Sequence, residues 1–326
     1  MLSTRTSFGV AVVDDKIYAI GGHPFGGVTT DVNEEYDPVT DKWISRKKMP
    51  GIRAWFGTVV YDNEIYVIGG AWFLSGSELN EIMVYSPATD TWNTNKAAMP
   101  TARSGIEANI VDDKIFVIGG RNSDRILDVN EVYDPSVDDW ETKTSIPTPV
   151  YNYASAVVDK KIYIIGGFTM GINGIAYRVD FNQIYDVETD SWSLGNPVPV
   201  SNGANAVATS GLLGPKRIYV IGGGLNQVYD PATDSWINAT PMPSANRLEN
   251  FDDVNLAVLN DQIYAMGGVF TKDESQYSIN YQYTPLGYIP EFPSWAPLLT
   301  MLAVILVIAV IYRYSLYKQN QRGEYH

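Results

Sequence analysis

The sequence predicts an all-β chain of six repeated sheet modules, followed by one membrane-spanning helix. Three observations carry this reading. Gly-Gly pairs begin at Gly21, Gly69, Gly119, Gly166, Gly222 and Gly267, spaced 48, 50, 47, 56 and 45 residues apart. A Tyr follows each pair, at Tyr36, Tyr85, Tyr133, Tyr185, Tyr229 and Tyr283. Seven residues beyond the first five of these stand Trp43, Trp92, Trp140, Trp192 and Trp236, each preceded two residues earlier by an Asp. Near the C terminus, the 18 residues from Trp295 to Tyr312 carry no charge. A fixed period of this length marks repeated supersecondary units.

Each unit reads as four short strands. The first is apolar and follows an Arg, as in FGVAVVDD. A tight Asp-Asp or Asp-Asn turn leads to the second, such as KIYAIGG or EIYVIGG. That strand is apolar almost throughout, as suits one covered on both faces. Gly-Gly lets the backbone turn with positive φ or lets a neighbouring chain come close. The third strand ends in the Tyr. Stretches such as DPATDSW supply a turn, in which Pro fixes φ and Asp bonds its own backbone. The fourth strand begins at the Trp.

The Gly-Gly pair, the Tyr and the Trp at fixed distance from it resemble the kelch repeat over roughly residues 1–288. The resemblance implies a six-bladed β-propeller, in which four-stranded blades pack radially around a channel. It also implies that the Tyr and Trp rings fill the space between blades, as core rather than as a cofactor box. The sixth unit has Tyr283 but no Trp and no fourth strand. MLSTR matches the stretch just after a fourth strand in other units, so about one more strand is expected upstream of Met1, with an export signal before it. Without that strand, the edge around SINYQYTP stays open to pairing.

The span from Trp295 to Tyr312 reaches about 27 Å as a helix, near the thickness of a bilayer's hydrocarbon layer. Ser294 can cap it, and Trp295, Tyr312 and Tyr314 suit the interfaces. Arg313, Lys318 and Arg322 come after it, which puts the tail in the cytoplasm and the propeller outside. The expected layout is a propeller over 1–288, a linker over 289–294, a transmembrane helix over 295–314 and a basic tail over 315–326. Pro290, Glu291 and Phe292 resemble the PEF-type sorting tails of archaeal surface proteins, in which a membrane transpeptidase removes the tail.

Composition narrows the functions. The net charge of −14 repels phosphate backbones and argues against nucleic acid as a partner. With no Cys and only His23 and His326, thiol chemistry, His triads and multi-His metal sites fall away, and no cofactor or metal is expected. His23 in GGHPFGG reads as a loop residue. A copper oxidase of kelch type fails for want of Cys and His, and sialidase turns of the S-x-D-x-G-x-x-W kind are absent.

The links between units and the loops after each Gly-Gly emerge on one face and vary most: HPFGGVTTDVN, AWFLSGSELN, RNSDRILDVN and FTMGINGIAYRVDFN. Varied loops on a rigid scaffold are where binding sits. Candidate ligand-binding residues there are Arg5, Arg53, Trp55, Trp72, Arg103, Arg121, Tyr151 and Arg247, with Arg gripping carboxylates and aromatics stacking on sugars or partner side chains. The competing reading has the repeated Arg bracing loops against backbone carbonyls. The function expected is a surface-displayed module binding protein or glycan, held to the lipid bilayer by its C-terminal helix. The alternatives are a sugar-acting enzyme of the sialic-acid epimerase type and a cytoplasmic tail-anchored scaffold. Asn238-Ala-Thr is a lone glycosylation sequon.

Overall fold

The computed structural model describes residues 1–24, 27–72, 77–201, 204–241, 251–252, 254–267, 269–270 and 280–288. The chain divides into Met1–Gly287 and Tyr288–His326. Of the second unit only Tyr288 is described, so the predicted span over 295–314 and its basic tail lie outside the described residues. Among the described residues no helix is long and apolar enough to cross a membrane.

The first unit is a ring of six antiparallel sheets. Blade one comprises Gly9–Val13, Lys16–Ile20, Asn33–Asp37 and Lys42–Ser45, and blade two Gly57–Tyr61, Glu64–Ile68, Ile82–Ser86 and Thr91–Asn93. Blade three comprises Ala108–Val111, Lys114–Ile118, Asn130–Asp134 and Asp139–Lys143. Blade four comprises Ala154–Val158, Lys161–Ile165, Asn182–Asp186 and Ser191–Gly195. Blade five has Ala204–Ala208, Ile218–Gly222, Leu225–Asp230 and Ser235–Asn238. Blade six has Asn255–Leu259, Gln262–Met266 and Asn280–Tyr283, three strands among the described residues. The first strands adjoin one another in order around the ring, and that of blade six meets that of blade one. They therefore surround the axis, and each pairs within its sheet only with its own second strand.

The predicted tight turns are present. Asp14 and Asp15, Asp62 and Asn63, and Asp112 and Asp113 all hold positive φ, the backbone of a type I′ hairpin. Second strands are buried, with Ile17, Ile65, Ile115, Ile162, Ile218 and Ile263 fully covered. The core is not central. It is divided into layers between blades: Tyr18 and Ile20 meet Ile65, Val67 and Tyr85, while Tyr219 and Ile221 meet Ile263. The last layer, Ile17, Ala19 and Tyr36 against Tyr264 and Met266, closes the ring.

The Tyr, Asp and Trp of the repeat form a clamp between blades. Tyr85 donates its hydroxyl to Asp90 at 2.6 Å, and Tyr185 to Asp190 at 2.6 Å. Each Asp sits at positive φ, which a short polar side chain tolerates. The same carboxylate accepts a backbone N–H from the preceding blade: Asp90 from Lys47 at 2.8 Å, Asp138 from Ala97 at 2.9 Å, Asp190 from Thr144 at 2.9 Å. The Trp two residues on donates its indole N–H to the carbonyl of that same residue, Trp92 to Lys47, Trp140 to Ala97 and Trp192 to Thr144, all at 2.9 Å. Blades two to five thus each grip both polar groups of one peptide residue next door. The Tyr rings are buried, while the Trp rings are half-buried and lie 5.0–5.2 Å from them.

Candidate functional site

The loop face is built by a second set of repeated bonds, at the links between blades. Residues one after the repeated Arg, or after Val150 in blade four, pair with residues one after Gly-Gly: Thr6 with His23, Ala54 with Ala71, Ser104 with Arg121, and Tyr151 with Phe168. The links and the post-glycine loops therefore share one face. Gly70 shows why glycine is needed there. Its φ is +94°, and a Cβ on it would stand 2.7 Å from the Ala54 carbonyl oxygen. Its N–H donates to the Arg103 carbonyl at 3.0 Å, tying blade two to the next link.

The next link residues, Ser7, Trp55, Gly105 and Asn152, all hold positive φ. They form an open hoop across the links of blades one to four. Trp55 N–H donates to the Ser7 carbonyl at 3.1 Å, Gly105 N–H to Trp55 at 2.9 Å, and Asn152 N–H to Gly105 at 2.9 Å. A Trp in this left-handed backbone is unusual and strained, where Gly, Ser and Asn fit with less cost. The hoop holds it in place, with its ring stacked on His23 at 6.0 Å.

Inside the hoop lies a cavity of about 300 Å³ at the axis. Its wall carries Phe8, Trp55, Phe56, Tyr153 and Phe168, with Glu107, Asn152, Asn205 and Arg178 among its polar members. Along its rim Arg121 lies over the Tyr151 ring at 5.1 Å, Tyr151 stacks on Phe168 at 5.5 Å, and Arg178 lies over Phe168 at 5.3 Å. The result is an alternating ladder of cation, ring, ring and cation. Phe168 and Arg178 are brought opposite by a hairpin, Phe168–Met170 with Ala176–Arg178. That hairpin bears exposed Met170, Ile172, Ile175 and Tyr177.

The structure separates the sequence candidates. Arg121 and Tyr151 share the ladder, and Trp55 lines the cavity. Trp72 is exposed at 45% and has no ring contact with the others among the described residues. Arg247 lies outside the described residues. Arg5, Arg53 and Arg103 are corrected from ligand contacts to braces, because each is at most 2% exposed. Arg5 donates to the Ala19 carbonyl at 2.8 Å and pairs with Glu34 at 3.0 Å. Arg103 donates to the Val117 carbonyl at 2.9 Å and pairs with Glu131 at 2.6 Å. Arg53 donates to the Gly69 carbonyl at 3.0 Å, and its nearest carboxylate is the half-exposed Glu81 at 3.7 Å. Burial, only partly offset by Glu81, pushes the Arg53 guanidinium down to about 10.

The brace has an internal logic that sequence reading missed. Blade four has Val150 where the Arg would stand, and there the third strand carries Gln183 in place of Glu. Gln183 accepts from Thr148 N–H at 2.8 Å and donates to its carbonyl at 3.1 Å. Gln227 does the same to Val200 in blade five, at 2.9 Å each way. In blades one and three Glu pairs with Arg, in blades four and five Gln stands where the Arg is gone, and in blade two Met83 holds that position beside Arg53. The signal was legible in the NEE, NEV, NQI and NQV stretches that begin the third strands.

Glu107 was also missed. Pairing register places it opposite Ile118, the position held in other blades by Gly9, Gly57, Ala154, Asn205 and Asn255. It is half-buried, and the access it has is to the narrow channel. Removal from bulk water pushes its carboxyl up to about 8. No group of three or more potential metal ligands occurs among the described residues.

Comparison with known proteins agrees with this architecture. The family profile described as the KLHDC2/KLHL20/DRC7 Kelch-repeats domain matches residues 2–120 and 56–268. Kelch-like protein 7 of Rattus norvegicus is 32% identical over 125 residues, covering 38% of this chain and 20% of that protein. Kelch repeat and BTB domain-containing protein 2 of Homo sapiens is 30% identical over 210 residues, covering 60% and 32%. Beta-scruin of Limulus polyphemus is 27% identical over 190 residues, covering 55% and 20%. The chain thus spans a fifth to a third of these relatives' length. A solved structure titled "Structure of YjhT" superposes with a TM-score of 0.71 at 15% identity, covering 86% of this chain and 95% of that one, a likeness of fold. By its profile match and by the clamp and brace that repeat around its ring, the chain belongs to the kelch-repeat family.

Proposed function

We propose that this protein is a binding module, displayed at a cell surface on a C-terminal membrane anchor, that takes protein or glycan ligands on its loop face. Kelch propellers are in general protein-interaction modules. The observation that carries the proposal to this face is the Arg121–Tyr151–Phe168–Arg178 ladder beside the strained Trp55. Rigid aromatic rings and Arg at the edge of a concavity are the residue types that dominate binding energy, since they desolvate large areas at small entropic cost. Strain retained at Trp55 favours a role for its ring, because Gly would serve the hoop without strain. The anchor rests on the uncharged run from Trp295 to Tyr312 and the basic residues after it.

The test pans a displayed peptide library, and in parallel a glycan array, against the immobilised chain. Trp55→Gly with Tyr151→Ala is expected to weaken the selected ligand about tenfold or more, the loss of one or two anchors. Trp55→Gly keeps the φ of +58° without strain, so the fold is expected to survive. Unaltered affinity in the double variant would move the site off this face. Turnover of an arrayed sugar would replace the binding module by an enzyme.

A further inference from the structure

The pocket at the axis holds a carboxyl group that the loop-face reading does not use. Other buried glutamates of the ring are answered: Glu34 by Arg5, Glu131 by Arg103, and Glu35 by Tyr18 at 2.7 Å and Arg46 at 2.6 Å. Among the described residues, no hydrogen bond or ion pair engages the Glu107 carboxylate. Its register position is filled elsewhere by glycine, alanine and asparagine, so the blade does not require an acid there. A carboxyl group withdrawn from water without a counter-charge destabilises the fold, and such groups mark sites where a ligand supplies the missing charge.

We propose that the axial pocket receives an alkylammonium group, such as the end of a lysine side chain, with Glu107 as its counter-ion. The walls suit the alkyl stem and the charge together. Trp55, Phe56, Tyr153 and Phe168 supply apolar faces and ring quadrupoles for a cation. Asn205 donates its amide N–H to the Val254 carbonyl at 2.7 Å, which leaves its side-chain oxygen as an acceptor at the pocket. The net charge of −14 draws cations, and a narrow low-dielectric cleft focuses that field. This site shares Trp55, Phe168 and Arg178 with the rim and goes beyond the rim reading in Glu107, which the ladder does not use.

The groups that face Glu107 set its pH response. Arg178 at the mouth is the only other charged residue lining the cavity among the described residues. Tyr153, whose phenol is pushed up by burial, accepts the Glu107 backbone N–H at 3.3 Å, and Arg103 lies behind Tyr153. His23, its imidazole lowered by burial, stacks on Trp55. Below a pH of about 8 the acid is protonated and must release its proton before it can pair with a cation. Affinity therefore rises with pH up to that point, while an ammonium of pKa about 10 stays charged.

The experiment titrates Nα-acetyl-lysine amide into the full-length chain in mild detergent, read by saturation-transfer NMR, with the norleucine and glutamate analogues as controls. Saturable binding of the lysine probe, with transfer strongest at its ε-methylene, is expected. Glu107→Gln should weaken it about tenfold or more and flatten its rise between pH 6 and 8, and Arg178→Gln should strengthen it severalfold by removing a like charge. A thermal midpoint in Glu107→Gln no lower than that of the parent establishes that the loss is one of binding. Equal binding of the lysine and norleucine probes, no saturable binding, or full affinity in Glu107→Gln would overturn the proposal. Preference for the glutamate probe, lost in Arg178→Gln, would overturn it in favour of an anion site.

Discussion

Arg103 and Glu131 lie side by side with almost no exposure, and their partnership is replaced in blade four by Val150 and Gln183. Removing one member of a buried pair leaves the other charge stranded, at about 3–5 kcal/mol. Arg103→Val is expected to destabilise by that amount. Adding Glu131→Gln copies the blade-four arrangement and is expected to recover all but about 1 kcal/mol. Urea denaturation of both variants checks this, and a double variant no better than the single would show that the neutral brace does not transfer. The repeated Arg drew attention in the sequence because they stood in register. Register alone cannot say whether a guanidinium points outward or into the blade. The Glu and Gln near the start of the third strands of blades one, three, four and five held that information, because a buried Arg needs a carboxylate within reach.

At the scale of the element, the clamp explains why three residue types recur at fixed spacing. Tyr orients the Asp, the Asp takes a neighbour's N–H, and the Trp takes the same neighbour's carbonyl. The Tyr133 hydroxyl, and after it the Ala97 N–H, holds the Asp138 carboxyl below the usual carboxylate range. A depressed folded pKa means that this stabilisation is fully present above the unfolded value of about 3.9 and is lost as pH falls below it. Asp138→Asn keeps an acceptor and a residue at ease with positive φ, but gives up the charge. It is expected to cost about 1 kcal/mol at pH 7, with the surface exposure of the site holding the figure down. The gap should narrow from pH 7 to pH 3, as pH falls below the unfolded value towards the depressed folded one. An equal gap at both pH values would mean that the charge plays no part. The strands, turns and aromatic partners were readable because they rest on local patterns: alternation, paired turn residues and fixed spacing. The indole bond to the preceding blade was not, because it joins residues over 40 positions apart.

For the whole molecule, six layers between blades replace a single core, and the ring leaves an axial channel whose mouth is framed by the hoop. Sequence spacing revealed the number of blades and the face on which loops cluster. It could not bring Arg121, Tyr151, Phe168 and Arg178 into one ladder, since the post-glycine loop of blade three, the link into blade four and a blade-four hairpin meet there only once the two blades are packed. Glu107 escaped notice because one acid in an apolar first strand looks like surface until the register is known. The central claim is that ligands are held on this face, over the channel. Hydrogen–deuterium exchange of the full-length chain, with and without a library-selected ligand, tests it most directly. The account expects protection at residues 54–56, 104–107, 151–153 and 168–178. Protection confined to the turns between third and fourth strands, such as residues 38–41 and 87–90, would contradict it.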